Sequence, residues 1–199
     1  MRGKRFTFIK QNDAMQCGIA SLAMISTYFG KALSIGTLSH YCFTTNEGVS
    51  LPGIRNTAQA IGLDTIVGKV SISQITKLHF PCILHWNQNH FVVLYKVKKG
   101  KTFYIADPGK GLVKYSLEEF KKHWVSTQSG GEEEGIAMFL EPTPVRCQTK
   151  VHNLPLNLVW GFSMNYINKK VYLHNDNKKE SFSRFSAENI RILVKGYSS

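Results

Sequence analysis

The chain lacks any apolar run of the ~20 residues that a membrane-spanning helix requires. Its nearest approach, Leu154 to Met164, is broken by Pro155, Asn157 and Gly161. A secretory signal is lacking too: Met1-Arg2-Gly3-Lys4-Arg5 is basic, but Lys10, Gln11, Asn12 and Asp13 interrupt before the required run of about seven apolar residues. These absences predict a cytoplasmic protein with no transmembrane segment. Cysteine is scarce and dispersed. Cys17, Cys42, Cys82 and Cys147 include no close pair, which argues against a disulfide scaffold and against a Cys-x-x-Cys zinc site. Acidic residues are few, 13 against 25 Lys/Arg, for a net charge of +12. A basic surface suits nucleic acid, anionic lipid or an acidic peptide. The chain has no zinc-finger spacing and no aromatic RNA-binding signature, so no nucleic-acid partner is expected.

What is present is a foldable core, with 43% hydrophobic and 12% aromatic residues. The first third reads as helical. Cys17 to Phe29 carries Ile19, Leu22, Ala23, Ile25 and Phe29 at helical spacing and stops at Gly30. Further helices are expected from Ile35 to Tyr41 after Ser34, after Ser50 with Pro52 in the first turn and Gly62 at the end, and from Ile72 to Leu78. The pattern then turns to β: Leu63 to Val67, Cys82 to Trp86, Phe91 to Val97, Thr102 to Ala106, Leu112 to Tyr115 and Ile136 to Leu140. Lys98-Lys99-Gly100-Lys101 and Pro108-Gly109-Lys110-Gly111 read as turns, and Ser116 as the cap of a helix from Leu117 to Trp124. Helices followed by an antiparallel sheet give an α+β class. Pro142-Thr143-Pro144 marks a boundary, so residues 1–142 are expected to form one domain and residues 143–199 a basic extension of unknown fold. That extension holds nine Lys/Arg against three Asp/Glu from residue 145 onwards, which suggests anionic lipid or an exporter's cytosolic face as its contact.

Chemistry points to one cysteine. A thiol attacks as thiolate, and the unpaired N–H groups at a helix N-terminus favour that charge. Cys17 stands there, and Gly18 is expected to leave room for a substrate carbonyl. Gln11, with five residues between it and Cys17, can reach back to donate to a developing oxyanion. A hairpin centred between residues 99 and 100 sets His90 and Asp107 within a residue or two of each other in register. A base and a carboxylate that orients it would then lie side by side.

Gln11, Cys17-Gly18, the helix ending Tyr28-Phe29-Gly30, the run Asn89-His90-Phe91-Val92-Val93-Leu94 and the run Ile105-Ala106-Asp107-Pro108 together resemble the double-glycine leader peptidase domain. In that family the domain forms the N-terminal part of peptidase-containing ABC transporters that mature and export bacteriocins. The resemblance spans about residues 5–142. It implies a papain-like fold in which an N-terminal helical part packs on an antiparallel sheet. It also implies a cysteine endopeptidase that cuts bacteriocin-like precursors after a Gly-Gly type pair, with Cys17 as nucleophile, His90 as base, Asp107 as orienter and Gln11 as oxyanion donor. No cofactor or metal is implied. The implied partners are a precursor peptide with a double-glycine leader and an ABC exporter, which would place the protein at the inner face of the cell membrane. The residue before the nucleophile, often acidic in this family, is Gln16, and residues 143–199 match neither a membrane region nor an ATPase. A non-catalytic module that docks leaders for an exporter is the alternative reading, and a cysteine hydrolase acting on another acyl substrate is a third.

Other residues fit rival chemistries poorly. Cys82 and His85 point to opposite faces of a strand, against a metal site with His90. Gly100-Lys101-Thr102 lacks the glycine that a phosphate loop needs at Tyr95. His40, His79, His123, His152 and His174 show no partner pattern, and Trp86 reads as a core residue before a cleft wall.

Overall fold

The computed structural model describes residues 6–41, 49–77, 81–129 and 131–143, all within a unit spanning Met1–Thr143. Cys42, His79, Cys147, His152, His174 and the expected extension beyond Thr143 lie outside the described residues.

Helix α1 (Cys17–Tyr28) is the centre of the core. Cys17 through Ser26 are all buried, so the helix is enclosed on every side, as its nearly uninterrupted apolar sequence requires. Its end is a Schellman motif: Gly30 takes φ +95°, its N–H bonds Thr27 C=O at 3.0 Å, and Lys31 N–H bonds Ser26 C=O at 2.8 Å. Helix α2 (Ile35–Ser39) is capped by Ser34. Helix α3 (Leu51–Ala60) is capped by Ser50 with Pro52 in its first turn.

The sheet has strands β1 (Leu63–Ser71), β2 (Cys82–Trp86), β3 (His90–Lys98), β4 (Thr102–Asp107), β5 (Gly111–Ser116), β6 (Thr127–Ser129) and β7 (Glu132–Pro142). A short helix, α4 (Ile72–Ile75), follows β1, and α5 (Leu117–Trp124) follows β5. The order is β1-β7-β2-β3-β4-β5, every pairing antiparallel, with β6 alongside the start of β7. Helix α1 packs on one face, where Ile19, Leu22 and Met24 join Ile83, Phe91, Val93, Ala106 and Met138 in one buried cluster. Helix α5 covers the other. Its Phe120 stacks on Phe103 at 4.0 Å and tilts against Trp86 at 5.6 Å. The helical part packed on an antiparallel sheet is the α+β arrangement expected. Among the described residues no helix is long and apolar enough to cross a membrane.

Departures from expectation fall where side chains do not report pairing. β7 starts at Glu132, not Ile136, because Glu132, Glu133 and Glu134 pair through their backbones with β6. β6 itself, Thr-Gln-Ser, is too short and polar to announce a strand. β1 continues to Ser71, which then opens α4 through a reciprocal capping box with Gln74, and that helix ends at Ile75. Pro142 does take a ladder position opposite Leu63, at the very end of β7. Just beyond it, Thr143 fastens to β1 by a 3.1 Å bond to Asp64.

Gly135 is the tightest point between α5 and the sheet. A β-carbon there would stand 2.5 Å from Trp124 Cε2 and 2.6 Å from the Trp124 carbonyl oxygen, while the Trp124 indole donates to Ile136 C=O at 3.0 Å. Gly135→Ala is therefore expected to destabilise the domain by about 1–3 kcal/mol through overpacking, read as a lower urea midpoint at unchanged slope. An unshifted midpoint would show that this contact relaxes freely.

Candidate active site

Cys17 is the first residue of α1 and is only 6% exposed. It is delivered by a 3-10 turn, Ala14–Gln16, whose cap Asp13 accepts the Met15 N–H at 2.8 Å. Gln16 occupies the N-cap position without a side-chain capping bond. The helix start thus receives no acceptor from its own cap.

His90 opens β3 and Asp107 closes β4. Their side chains meet with His90 Nε2 2.8 Å from Asp107 Oδ1. A carboxylate accepts, so Nε2 carries the proton and Nδ1 is the nitrogen left for another partner. Cys17 lies near enough to the ring to act on its charge. Asp107 is 1% exposed and also accepts the Gly109 N–H at 2.9 Å. Burial would raise its pKa; the bonds from His90 and Gly109, with the positive charges of His90 and Lys110, instead hold the carboxyl below its ordinary range. Burial likewise would lower the imidazole, but the hydrogen bond and negative charge of Asp107, with the nearby Cys17, raise it from 6.5 to about 9.

The meeting depends on an irregularity in the hairpin. Its outer part pairs Lys98 with Thr102 and Val97 with Phe103, whereas its inner part pairs Leu94 with Ile105 and Val93 with Ala106. One extra residue on β3, between Leu94 and Lys96, makes the difference. The inner register carried one step further sets Asp107 opposite Val92, on the face that His90 shares. The outer register would have set it opposite Val93, on the other face. A turn centred between residues 99 and 100, as the sequence suggests, would give this inner register directly; the actual turn is centred on Gly100, and the bulge restores the common face.

Gln11 reaches the same place from a third segment. Its N–H bonds Pro108 C=O at 3.1 Å, and its amide lies over Gly109, where a β-carbon would be 3.7 Å from Gln11 Nε2. Its Oε1 is buried without a hydrogen-bond partner. The turn from Asp107 to Lys110, closed by a 3.1 Å bond from Lys110 N–H, therefore holds both the carboxylate and the strap carrying Gln11. Of the residues singled out in the sequence, the structure brings His90 to both Asp107 and Cys17, and Gln11 to the turn beside Asp107.

Gly18 has a packing reason of its own. A β-carbon there would lie 2.6 Å from Ile54 Cδ1 and 3.3 Å from Phe91, so the glycine lets α1 seat against α3 and β3. Trp86 is core, packed on Tyr115, Phe120 and His123. His123 is not without a partner: Nδ1 lies 2.8 Å from Asn87 Oδ1. Its signal in the sequence, one turn-rich Asn and one helix-end His far apart, is nonlocal. Cys82 is buried and its thiol is pushed upward by desolvation, and no group of three metal-ligating side chains exists among the described residues.

Comparison with known proteins follows the same residues. The Peptidase C39 family matches the chain over residues 5–128. The colicin V secretion/processing ATP-binding protein CvaB of Escherichia coli is 34% identical over 121 residues, which are 61% of this chain and 17% of that protein. The lactococcin-G-processing and transport ATP-binding protein LagD of Lactococcus lactis subsp. lactis is 33% identical over 67% of this chain and 18% of its own length. The chain thus spans less than a fifth of these relatives. Among solved structures, a double glycine motif protease from an AMS/PCAT transporter in complex with the leader peptide is 36% identical with a TM-score of 0.60, covering 69% of this chain and 91% of that one. The peptidase domain of Streptococcus ComA has 25% identity and a TM-score of 0.60 over 70% of this chain and 100% of its own.

The raised histidine and the lowered carboxyl fix a pH signature. His90 binds its proton more tightly folded than unfolded, so its stabilisation is full below about 6.5 and is lost as pH rises through about 9. Asp107 contributes above its unfolded value of 3.8, and that contribution is lost in acid. The urea midpoint is expected to fall between pH 7 and pH 10, and His90→Asn to flatten that fall. Equal slopes in both proteins would contradict the assigned His90–Asp107 coupling.

Proposed function

The chain belongs to the Peptidase C39 family, and on that premise we propose that it is a cysteine endopeptidase that removes the leader of bacteriocin-like precursors by cutting after a Gly-Gly type pair, in company with an ABC exporter. The observation that carries this reading is the 2.8 Å contact of His90 with buried Asp107, on a ring within reach of Cys17 at the start of α1. The catalytic set is Cys17, His90, Asp107 and Gln11. On this reading the domain works on the cytoplasmic side, where an ATP-driven exporter collects its cargo.

In this mechanism the Cys17 thiol gives its proton to His90, and the sulfur's electron pair forms a bond to the scissile carbonyl carbon. Charge collects on the carbonyl oxygen, where the Gln11 amide and the N–H groups at the start of α1 donate to it. Collapse breaks the C–N bond. His90 hands its proton to the departing amine, leaving a thioester on Cys17. Water, deprotonated by His90, then adds to the thioester carbon; the C–S bond breaks, the leader leaves with a free carboxyl terminus, and His90 returns the proton to the sulfur. Asp107 holds Nε2–H throughout, so Nδ1 is the nitrogen that exchanges protons with sulfur and substrate.

Incubation with a double-glycine precursor and mass analysis of the products tests the reading. Cleavage after the second glycine is expected in the parent. Cys17→Ala should abolish cutting while precursor binding persists. Gln11→Ala should lower kcat by ~10²–10³. Uncut precursor, or equal cutting after bulky residues, would overturn it. Unimpaired binding by a parent that never cuts would instead describe a docking module.

A further inference from the structure

The turn that delivers His90 is gripped by the helix on its own side of the sheet. β2 and β3 are joined by Asn87-Gln88-Asn89, and the first two take φ +49° and +62°, a region that non-glycine residues seldom adopt. Within the turn, Asn89 N–H donates to Trp86 C=O at 3.2 Å. Two more bonds arrive from the end of α5: Asn87 N–H donates to His123 C=O at 2.9 Å, and His123 Nδ1 lies 2.8 Å from Asn87 Oδ1. With the amide oxygen accepting, His123 Nδ1 carries the proton. The His123 ring stacks on Trp86 at 5.1 Å and 19°, and meets Tyr115 at 5.5 Å and 62°. Trp86 is the register partner of His90, and Tyr115 is on β5, the strand beside Asp107. Helix α5 therefore begins directly after the strand that flanks the carboxylate and ends on the turn that precedes the base.

We propose that Asn87 and His123 are positioning residues whose clasp fixes the β2–β3 turn, so that the His90 ring is held against Asp107 and toward Cys17. The proposal rests on the reading of His90 as the base. Two left-handed residues in succession form a type I′ hairpin turn, which Asn suits at Asn87 but which places Gln88, a residue that seldom takes this conformation, under strain. Rotation of the turn would carry the first residue of β3 with it, whereas bonds to both the backbone and the side chain of Asn87 anchor it from outside the hairpin. The face-to-face stack on Trp86 sets where the His123 ring can lie, and so where Asn87 must be.

The test is an NMR titration of the His90 imidazole in the intact chain, parent against three variants. Asn87→Gly accepts the left-handed backbone but removes the side-chain acceptor, Asn87→Asp restores an acceptor of equal reach, and His123→Phe keeps a ring on Trp86 but lacks Nδ1. His90 is expected to titrate near 9 in the parent and in Asn87→Asp. In Asn87→Gly and His123→Phe it should titrate at least about one pH unit lower as the ring loosens from Asp107. On a double-glycine precursor, kcat in those two should fall roughly tenfold with KM nearly constant. An unchanged His90 titration in both, with only the thermal midpoint lowered, overturns the clasp. A parent that leaves the precursor uncut, yet loses its His90 shift in these variants, sinks the peptidase reading and upholds the clasp.

Discussion

A carboxylate with almost no access to water is the constraint from which the site is built. Asp107 sits at the end of β4 with 1% exposure, and an isolated charge in that position would be expelled or neutralised. It stays ionised because three partners converge on it: the imidazole of His90, the N–H of Gly109 and, at longer range, Lys110. The pairing works in both directions. The carboxylate that needs a cation holds a proton on the histidine, whose ring also lies within reach of Cys17. Burial thus supplies orientation as well as charge, since a ring bound through Nε2 to a fixed oxygen can turn only Nδ1 toward Cys17.

That convergence needs the chain to bring four segments to one end of the sheet. Helix α1 is enclosed by apolar neighbours on all sides, which fixes the sulfur at its first residue. The close seat of Gly18 against Ile54 and Phe91 removes the last freedom of that helix end. The bulge in β3 turns His90 and Asp107 to one face, and the Asp107–Lys110 turn draws in the strap bearing Gln11. Helix α5, capped at Ser116 by a reciprocal box with Glu119, ties the second face to the same end.

Much of this was readable from the sequence, for reasons that can be named. The start of α1, the caps Ser34, Ser50 and Ser116, and the hairpin around Gly100 are local signals, and local signals fix both the helix that carries Cys17 and the adjacency of His90 and Asp107. What escaped was nonlocal. β7 inserts between β1 and β2, a pairing of residues about seventy apart that no periodicity encodes. The Glu132–Glu134 segment looks like solvent-exposed loop because its contribution is made by the backbone. The bulge changes a register by one residue without changing any residue type. The packing of Gly18 against Ile54 and Phe91 is likewise nonlocal, a contact of α1 with α3 and β3.

The positions of the candidate catalytic side chains follow from where a fold has backbone groups to spare. Cys17 is the first residue of a helix, His90 the first of a strand and Asp107 the last of one. In the interior of an element each N–H is already committed to a ladder or a helical turn. At the ends it is not. The Gly109 N–H is free to bind a carboxylate because β4 has stopped two residues earlier, and the first N–H groups of α1 receive no side-chain acceptor from Gln16. The same ends are the least anchored parts of their elements. A site placed there for its unspent hydrogen bonds must be fastened by contacts from elsewhere, which is what the Pro108 carbonyl does for Gln11 and what the last turn of α5 does for the approach to His90.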